Sequence, residues 1–187
     1  MAYSTDNVII YGAHGTFAKQ LVFRQRFGRS ILCKRPRKST QPPSEAQLEV
    51  RERFVAATQY AKLVMANPDL QVTYQAAAKN GLTVYNLAIA DLLHAPEVQE
   101  VDASAYTGAA GSTIRVRAID DFKVNAVQVS IFSAANELLE QGAAVPSSNG
   151  MDWTYTAATD NPVTAGCTVK VQASDLPGNA AVKEQVL

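Results

Sequence analysis

Few side chains in this sequence have the types and spacing that catalysis requires. Nucleophilic catalysis needs a general base beside the nucleophile, and the chain has two histidines, His14 and His94. His14 lies in a glycine-rich stretch typical of a loop, and His94 lies at a predicted helix end, where a basic side chain suits the helix dipole. Neither a Gly-x-Ser-x-Gly turn nor a Gly-x-x-x-x-Gly-Lys-Ser/Thr phosphate loop occurs. We therefore predict a protein that is not an enzyme and that uses no cofactor.

Acidic side chains offer a second kind of chemistry, the binding of a hard cation such as Ca²⁺. Asp91 and His94 are three positions apart on one predicted helix face, as metal ligands can be, but this spacing is more typical of an exposed polar pair. Asp120, Asp121 and Asp175 lie near predicted turns and are candidate calcium ligands. A calcium site needs about 6–8 oxygens, and Asp side chains commonly bond the backbone of their own turns. We therefore expect turn chemistry and no metal.

The two cysteines, Cys33 and Cys167, match no metal-ligand spacing. Free cysteine is among the most buried residue types, so we expect two part-buried thiols. Their sequence positions leave a disulfide between them open as an alternative.

The composition is that of a globular chain without excess charge. The 187 residues include 47% hydrophobic side chains, enough for a core, and 17 basic side chains balance 17 acidic ones. A protein with no net charge lacks the self-repulsion that opposes association. No secretory signal and no apolar stretch of about 20 residues is visible, so we predict no membrane span. We expect synthesis in the cytoplasm, with a final location outside the cell or within a particle.

Charge is distributed unevenly along the chain. The segment from residue 7 to residue 44 contains no acidic residue and eight basic ones: Lys19, Arg24, Arg26, Arg29, Lys34, Arg35, Arg37 and Lys38. From residue 100 onward there are ten acidic residues and five basic ones. Opposite charges on one subunit favour head-to-tail contact between copies, because each patch attracts the other. Binding of an unrelated polyanion explains the basic segment equally well.

The basic segment is predicted to form a β-hairpin over residues 17–34. Leu21 and Phe23 alternate with Val22 and Arg24, which is close to a period of two, and Gly28 permits a tight reversal. An isolated hairpin is marginally stable in water, so this one must pack on a partner surface. Residues 34–43, rich in proline and basic side chains, predict an extended linker.

Three short helices that share one small core are predicted over residues 44–96. Ser44 and Gln47 form a capping box at the start of the first helix. Its apolar stripe is predicted to comprise Val50, Phe54, Ala57, Ala61, Val64 and Met65. Asn67 and Pro68 separate the first helix from the second, which should end at residues 80–81, and Thr83 caps the third.

Short strands follow over residues 98–187, with turn signals about every 8–12 residues, which is typical of a β-sandwich. Ile114, Val116 and Ala118 should face inward, and Trp153 and Tyr155 should share one face. The predicted fold class is α+β. It comprises a basic N-terminal arm and β-hairpin at 1–43, a small helical bundle at 44–96 and an antiparallel β-sandwich at 98–187.

Three motifs of the sandwich segment occur in a familiar order. They are Gly-x-x-Ile-x-Val-x-Ala-x-Asp-Asp-Phe from Gly111 onward, Trp153-x-Tyr155, and Val-x-Val-x-Ala-x-Asp-x-Pro-Gly-Asn from Val169 to Asn179. With them the segment resembles bacterial immunoglobulin-like repeat domains, which implies an immunoglobulin-like β-sandwich. In that class the Asp and Gly-Asn residues form turns and sometimes bind calcium.

A second, looser resemblance concerns the N-terminal half. This resemblance rests on Gly12, Gly15 and the segments 34–38 and 44–48. The half resembles small structural proteins of Bacteroidota-type bacteria and of phage-like particles, which implies a structural role.

These features predict a structural subunit of a filament, appendage or phage-like particle. It would associate with copies of itself, or with other proteins of the particle, by β-strand addition. The final strand, 181–187, is the predicted acceptor edge. The predicted donor residues are Val8, Ile9, Ile10, Tyr11, Leu21, Val22, Phe23, Phe27, Ile31 and Leu32.

Two alternatives stay open. A monomeric adhesive or carbohydrate-binding module would use loops such as 149–153 and would need an exposed Trp153, whereas we expect Trp153 in the core. The second alternative is a protein that binds nucleic acid or another polyanion through the basic hairpin, although a net charge of zero disfavours nucleic acid.

Overall fold

The computed structural model describes residues 10–26, 28–37, 40–78 and 81–187, together with the backbone of a strand at Ala2–Ser4. The chain forms two compact units, Met1–Glu49 and Val50–Leu187, and the division falls within the first helix. Helices and antiparallel sheets coexist, so the predicted α+β class is confirmed.

Unit 1 is built on a four-stranded antiparallel sheet. Its strands are β1 (Ala2–Ser4), β2 (Gly15–Phe17), β3 (Leu21–Arg26) and β4 (Arg29–Lys34), in the spatial order β1-β4-β3-β2. The predicted hairpin is confirmed as β3 and β4, which close at the pair Arg26 and Arg29 around Gly28, whose φ is +73°. β1 pairs with β4 and β2 pairs with β3. The chain itself therefore supplies the partner that an isolated hairpin lacks.

The helices are α1 (Glu45–Ala66), α2 (Pro68–Ala77) and α3 (Val84–Leu93). The capping box forms, because the Gln47 N–H donates to Ser44 Oγ at 3.4 Å and the Ser44 N–H donates to Gln47 Oε1 at 3.3 Å. Asn67 caps α2 and Thr83 caps α3 through their side-chain oxygens. The helix α2 ends before the predicted residues 80–81, and residue 80 lies outside the described residues.

The helical core is smaller than the predicted stripe. Its buried members are Ala61, Val64, Tyr74, Val84 and Ala88. Val50 and Phe54 are 64% and 50% exposed, and Met65 is exposed as well, so the prediction was wrong for these three positions. For Val50 and Phe54 the reason is length: α1 has 22 residues, whereas α2 and α3 have 10 each and leave the first turns of α1 uncovered. Met65 lies in the last turn, one residue beyond the buried Val64 and therefore about 100° around the helix from it, off the buried face.

The sandwich consists of two four-stranded antiparallel sheets. The first has the order β5 (Glu97–Asp102), β6 (Thr113–Ile119), β10 (Asp152–Thr156) and β9 (Val145–Pro146). The second has the order β12 (Ala180–Val186), β11 (Thr168–Ser174), β7 (Ala126–Phe132) and β8 (Leu138–Ala143). The chain crosses between the sheets at the buried Ala144, which joins β8 to β9.

Alternation along the strands builds the sandwich core. Ile114, Val116 and Ala118 are buried as predicted, and Trp153 and Tyr155 are buried on one face of β10. The second sheet contributes Val127, Val129, Ile131, Val169, Val171 and Ala173. Among the described residues, no helix has the length and apolar character needed to cross a bilayer.

Within unit 2 the helices and the sandwich share one packed region. Phe122 and Leu176, from loops of the sandwich, pack against the helical core. The two segments that the sequence separates at residue 97 therefore fold as one compact unit.

Candidate functional site

Three aspartates converge where α3 packs on the sandwich. Asp91 belongs to α3, Asp120 follows β6 and Asp175 follows β11. Each offers one carboxylate oxygen, and these three oxygens lie within 4.8 Å of one another. Asp91 is 1% exposed, Asp175 is 2% exposed and Asp120 is half-buried. We call this group the aspartate cluster.

Asp175 is positioned by the turn between β11 and β12. Its Oδ1 accepts the backbone N–H groups of Gly178 at 2.8 Å and Asn179 at 2.6 Å. The side-chain amide of Asn179 donates to Asp175 Oδ2 at 2.7 Å and to the Leu92 carbonyl at 3.2 Å. Because the last carbonyls of a helix have no intrahelical partner, this turn caps the C-terminus of α3 and fixes it to the sandwich.

Asp120 is positioned in the same manner, by a turn after β6. Its Oδ2 accepts the N–H groups of Phe122 at 3.3 Å and Lys123 at 2.9 Å. Within the part of the chain that the structure describes, Asp120 Oδ1 is buried and has no hydrogen-bond partner. One oxygen of Asp120 therefore holds the turn and the other is left for the cluster.

Asp91 is the most buried member. The Tyr74 hydroxyl donates to Asp91 Oδ2, and it also lies 2.9 Å from the hydroxyl of Tyr60. Asp91 Oδ1 is buried and has no partner among the described residues. Burial raises the pKa of Asp91 to about 7, against the hydrogen bond from Tyr74, and the neighbouring carboxylates act in the same direction as burial. Burial, followed by the bond to Asp91, likewise raises the pKa of Tyr74.

The sequence anticipated this cluster only in part. Asp120 and Asp175 come together, but Asp121 does not join them, since its carboxylate lies 2.7 Å from His94 Nδ1 on the surface. The expected exposed pair of Asp91 and His94 was wrong, because Asp91 is buried and His94 faces Asp121. A usable signal was present: Asp91 is spaced seven residues from Val84 and three from Ala88, on the buried face of α3.

The basic side chains of unit 1 divide into two groups; Lys38 lies outside the described residues. Alternation and register place Arg24, Arg26 and Arg29 on one face of the sheet. The second group comprises Lys19, Lys34, Arg35 and Arg37. Together with three uncharged residues, these side chains line an open cleft of about 760 Å³. Among the described residues, no acidic side chain lines this cleft, which we call the basic cleft.

The predicted strand donors need correction. Val8, Ile9 and Phe27 lie outside the described residues, and Ile10 and Tyr11 form a turn in which the Ala13 N–H donates to the Ile10 carbonyl at 3.1 Å. The remaining donors are half-buried residues of β3 and β4: Leu21, Val22, Phe23, Ile31 and Leu32. Each of these five residues is paired on both sides, with β2 beyond β3 and β1 beyond β4, so within the described residues none of them lies at an unpaired edge.

The predicted acceptor strand does lie at an edge. Among the described residues, β12 pairs with β11 alone. The Leu187 N–H donates to the Cys167 carbonyl at 2.8 Å, and the Asp175 N–H donates to the Asn179 carbonyl at 3.1 Å. Because inter-strand bonds recur at every second pair, odd-numbered residues of β12 bond to β11. The N–H groups of Val182, Glu184 and Val186 therefore point away from the sheet.

A groove borders this edge. It has a volume of about 510 Å³ and runs between the end of β12 on one side and the end of β5 with the segment after it on the other. Glu100 and Asp102 supply acidic groups on one side, and Gln185 and Val186 lie on the other.

Two further predictions concern residues of the core. Trp153 is 5% exposed, as expected, so it cannot serve as a surface platform for a sugar. Both cysteines are free thiols: Cys33 donates to the Val22 carbonyl and Cys167 to the Val163 carbonyl.

Comparisons with known proteins add little to this geometry. No family model matches the chain, and no curated protein matches it. Among solved structures, CopC from Methylosinus trichosporium OB3b is 17% identical with a TM-score of 0.36, over 48% of this chain and 87% of that protein. A crystallised engineered protein is 16% identical with a TM-score of 0.34, over 54% of this chain and 26% of that protein.

Proposed function

We propose that this protein is a non-enzymatic structural subunit of a filament, appendage or phage-like particle, with a sandwich of the immunoglobulin-like kind. One copy would bind the next head to tail by β-strand addition at β12. The observation that carries the proposal is the unpaired outer edge of β12, a regular strand of seven residues that pairs with β11 without a bulge.

The other long edges of the sandwich are less suited to strand addition. The pairing of β5 with β6 shifts register at Gln99, and that of β8 with β7 shifts at Leu139. Bulges disrupt the spacing that an added strand requires and are a common protection of sheet edges. The regular edge of β12 is therefore the preferred acceptor.

Charge favours unit 1 of another copy as the donor. Full antiparallel overlap of two β12 strands would place the two Lys183 side chains opposite each other, and like charges at opposed positions are destabilising. Glu100 and Asp102 line the groove beside β12, whereas unit 1 is basic. Its strand β2 is at the edge of its sheet, and Phe17 of that strand is 64% exposed. We assign β2 as the donor edge.

Exposed apolar side chains of α1 support association as well. They are Leu48, Val50, Phe54, Val55, Leu63 and Met65. At about 100° per residue, Val50, Phe54 and Met65 fall on one face of α1, and the other three fall on the opposite face. Exposed apolar residues that share a face are typical of a surface that a partner covers.

The variant Val182→Pro tests the proposal. Proline removes the outward N–H of Val182, which a donor strand would bind, and leaves the bonds from β12 to β11 in place. Size-exclusion chromatography with light scattering and negative-stain imaging should show assembly of the wild type and monomers of the variant. Val182→Thr keeps the N–H and should assemble like the wild type.

Folding of the variant is checked by the emission of Trp153, which should stay blue-shifted. A wild type that remains monomeric at high concentration contradicts the proposal, as does assembly of a folded Val182→Pro. A deletion of residues 1–16 is less informative, because it removes β1 and most of β2 and so uncovers the hairpin.

The basic cleft favours a second candidate function, the binding of a polyanion. Its four cations, which have no acidic residue beside them in the described part of the lining, suit phosphate or sulfate groups. Heparin and labelled single-stranded DNA should bind at low salt, with an affinity that falls steeply as salt is added. The double variant Lys34→Ala/Arg37→Ala should bind at least about tenfold more weakly, whereas Lys170→Ala should bind normally. Binding that is absent or insensitive to salt removes this candidate.

A further inference from the structure

The geometry points to a binding site for a hard divalent cation of the Ca²⁺ type, formed by the aspartate cluster of Asp91, Asp120 and Asp175. This inference is independent of strand addition at β12. It concerns a different part of unit 2 and a different ligand.

Unsatisfied oxygens inside the cluster carry the inference. Asp91 is 1% exposed, and its Oδ1 has no hydrogen-bond partner within the described residues; the same holds for Asp120 Oδ1. A buried carboxylate oxygen without a donor is costly, and two of them beside a third carboxylate are costlier still. A cation between the three groups would satisfy both oxygens and cancel the repulsion.

Two of the three aspartates keep one oxygen without a hydrogen-bond partner among the described residues. Asp120 holds its turn through Oδ2, and Asp91 accepts the Tyr74 hydroxyl through Oδ2. In both residues the second oxygen, Oδ1, is left over. Asp175 differs, because Gly178 and Asn179 donate to its Oδ1 and the Asn179 amide donates to its Oδ2. Its oxygens would have to bind the cation in addition to these donors, or exchange one of them for it.

Donor chemistry selects the class of ion. All three groups are carboxylates, which suit Ca²⁺, Mg²⁺ or Mn²⁺ better than the softer transition metals. Oxygens on opposite sides of one Ca²⁺ are about 4.6–5.2 Å apart, because each bond is about 2.3–2.6 Å long. The cluster oxygens lie within 4.8 Å of one another, so all three can reach one such ion. For Mg²⁺ the corresponding separation is about 4.0–4.2 Å.

Three protein oxygens leave room for water in the coordination shell. Asp120 is half-buried as a residue, although its Oδ1 is buried, and Asp91 and Asp175 are buried as well. A Ca²⁺ ion would need about 3–5 further oxygens beside these three.

A bound cation would join three elements that the chain brings together from distant positions. Asp91 extends from the end of α3, and the other two ligands follow β6 and β11. Because the ion would bind the folded arrangement and not the unfolded chain, it should stabilise the contact between the helices and the sandwich.

The test uses the full chain, stripped of metal with EDTA and dialysed. Added Ca²⁺ should raise the midpoint of thermal unfolding by on the order of 5 °C once its concentration reaches about one hundred times the dissociation constant. Tb³⁺ should bind in place of Ca²⁺ and luminesce when tyrosine is excited, because the Tyr74 hydroxyl is hydrogen-bonded to Asp91 and so holds the ring close to the site. Excess Ca²⁺ should quench that luminescence.

Two asparagine variants distinguish Ca²⁺ binding at the aspartate cluster from a general attraction of Ca²⁺ to acidic side chains. Asp91→Asn should lose the calcium-dependent stabilisation and bind at least about tenfold more weakly, since it removes a ligand charge while keeping the side-chain shape. Asp121→Asn, next to Asp120 but directed at His94, should bind like the wild type. Absence of any Ca²⁺-induced shift or Tb³⁺ signal in the wild type overturns the inference. It would mean that a proton on Asp91, and not a cation, relieves the repulsion within the cluster. An equal response from folded Asp91→Asn overturns it too.

Discussion

The ring of Phe122 stacks on the ring of Tyr74, with centroids 4.4 Å apart and planes inclined by 21°. Phe122 lies in the turn that Asp120 organises after β6, whereas Tyr74 belongs to α2 and is fully buried. The same tyrosine donates its hydroxyl to Asp91. One aromatic pair thus links the sandwich, the helical core and the aspartate cluster.

Replacement of Phe122 by alanine should destabilise unit 2. The loss of the stacked ring removes apolar contact and leaves a cavity beside Tyr74, so we expect a decrease of about 2–4 kcal/mol in the free energy of unfolding. Urea unfolding followed by Trp153 emission measures this change. Phe17→Ala, at a position that is 64% exposed in unit 1, is the matched control and should change stability by less than about 0.5 kcal/mol. Equal effects of the two substitutions would contradict the assigned role of the stack.

Local patterns predicted most of the elements but not their packing. The hairpin, the capping box of Ser44 and Gln47 and the alternation in β6 depend on neighbours within a few residues, and all are present. The apolar stripe of α1 was overestimated, because burial of Val50 and Phe54 depends on the lengths of other helices. The strands β1 and β2 were not predicted, since three residues are too few for a periodic signal.

The aspartate cluster likewise shows that local sequence patterns identify single residues of a site but not which residues the fold brings together. Asp120 and Asp175 were candidates because each lies in a recognisable turn motif. Asp91 was missed as their partner, since the docking of α3 depends on Asn179, which is 88 positions away in sequence. Periodicity marks Asp91 as a charge on a buried face, yet it does not reveal which groups surround it.

Stability in the absence of metal should depend on pH through Asp91. Its pKa in the folded protein, about 7, lies above the ordinary value, so the folded state binds the proton more tightly than the unfolded state. The stabilisation that the protonated Asp91 gives the folded state is complete below the ordinary aspartate pKa and is lost as pH rises through about 7. The slope should be at most about 1.4 kcal/mol per pH unit in that window.

Comparison with Asp91→Asn isolates this contribution. Other carboxyls also titrate, among them Asp102 and Glu140, whose pKa values are lowered, so only the difference between wild type and variant is interpreted. Urea unfolding in EDTA at several pH values should show that the wild type loses stability relative to Asp91→Asn as pH rises. A difference that is constant with pH would show that Asp91 does not titrate in this window.

Glu140 should stabilise the sandwich by joining β8 to the loop after β10. Its Oε1 accepts the Tyr155 hydroxyl at 2.6 Å, and its Oε2 accepts the Thr159 hydroxyl at 2.9 Å. Burial opposes ionisation of Glu140, yet these donors and the Ala158 N–H together lower its pKa. The stabilisation is therefore present above the ordinary glutamate pKa and is lost as pH falls through the lowered value.

Glu140→Ala should lower the free energy of unfolding at neutral pH by about 1–2 kcal/mol, because the buried Tyr155 hydroxyl loses its acceptor. Glu137→Ala, at an exposed position close by, should have almost no effect. The difference between the two variants should shrink when unfolding is measured in acid. A cost that stays the same in acid would mean that the charge of Glu140 is not what the donors bind.

Gly142 should tolerate no side chain, because of Tyr155 and not because of backbone strain. Its φ is not in the left-handed region, but a Cβ added there would lie 2.8 Å from Tyr155 Cε2. The tyrosine cannot move aside easily, since it is 4% exposed and its hydroxyl is bound to Glu140. Gly142→Ala should therefore cost about 1–3 kcal/mol of stability, although alanine normally favours a folded chain over glycine.

A double-mutant cycle decides whether Tyr155 is the cause. Tyr155→Leu alone should destabilise the sandwich by removing a buried ring, and it should also open the space that a methyl group at residue 142 requires. The double variant should then be more stable than the sum of the single effects predicts, by about 1 kcal/mol or more in urea unfolding. Strict additivity would place the strain elsewhere in β8. In that case the narrow contact between β8 and β10 would not be what requires glycine at this position.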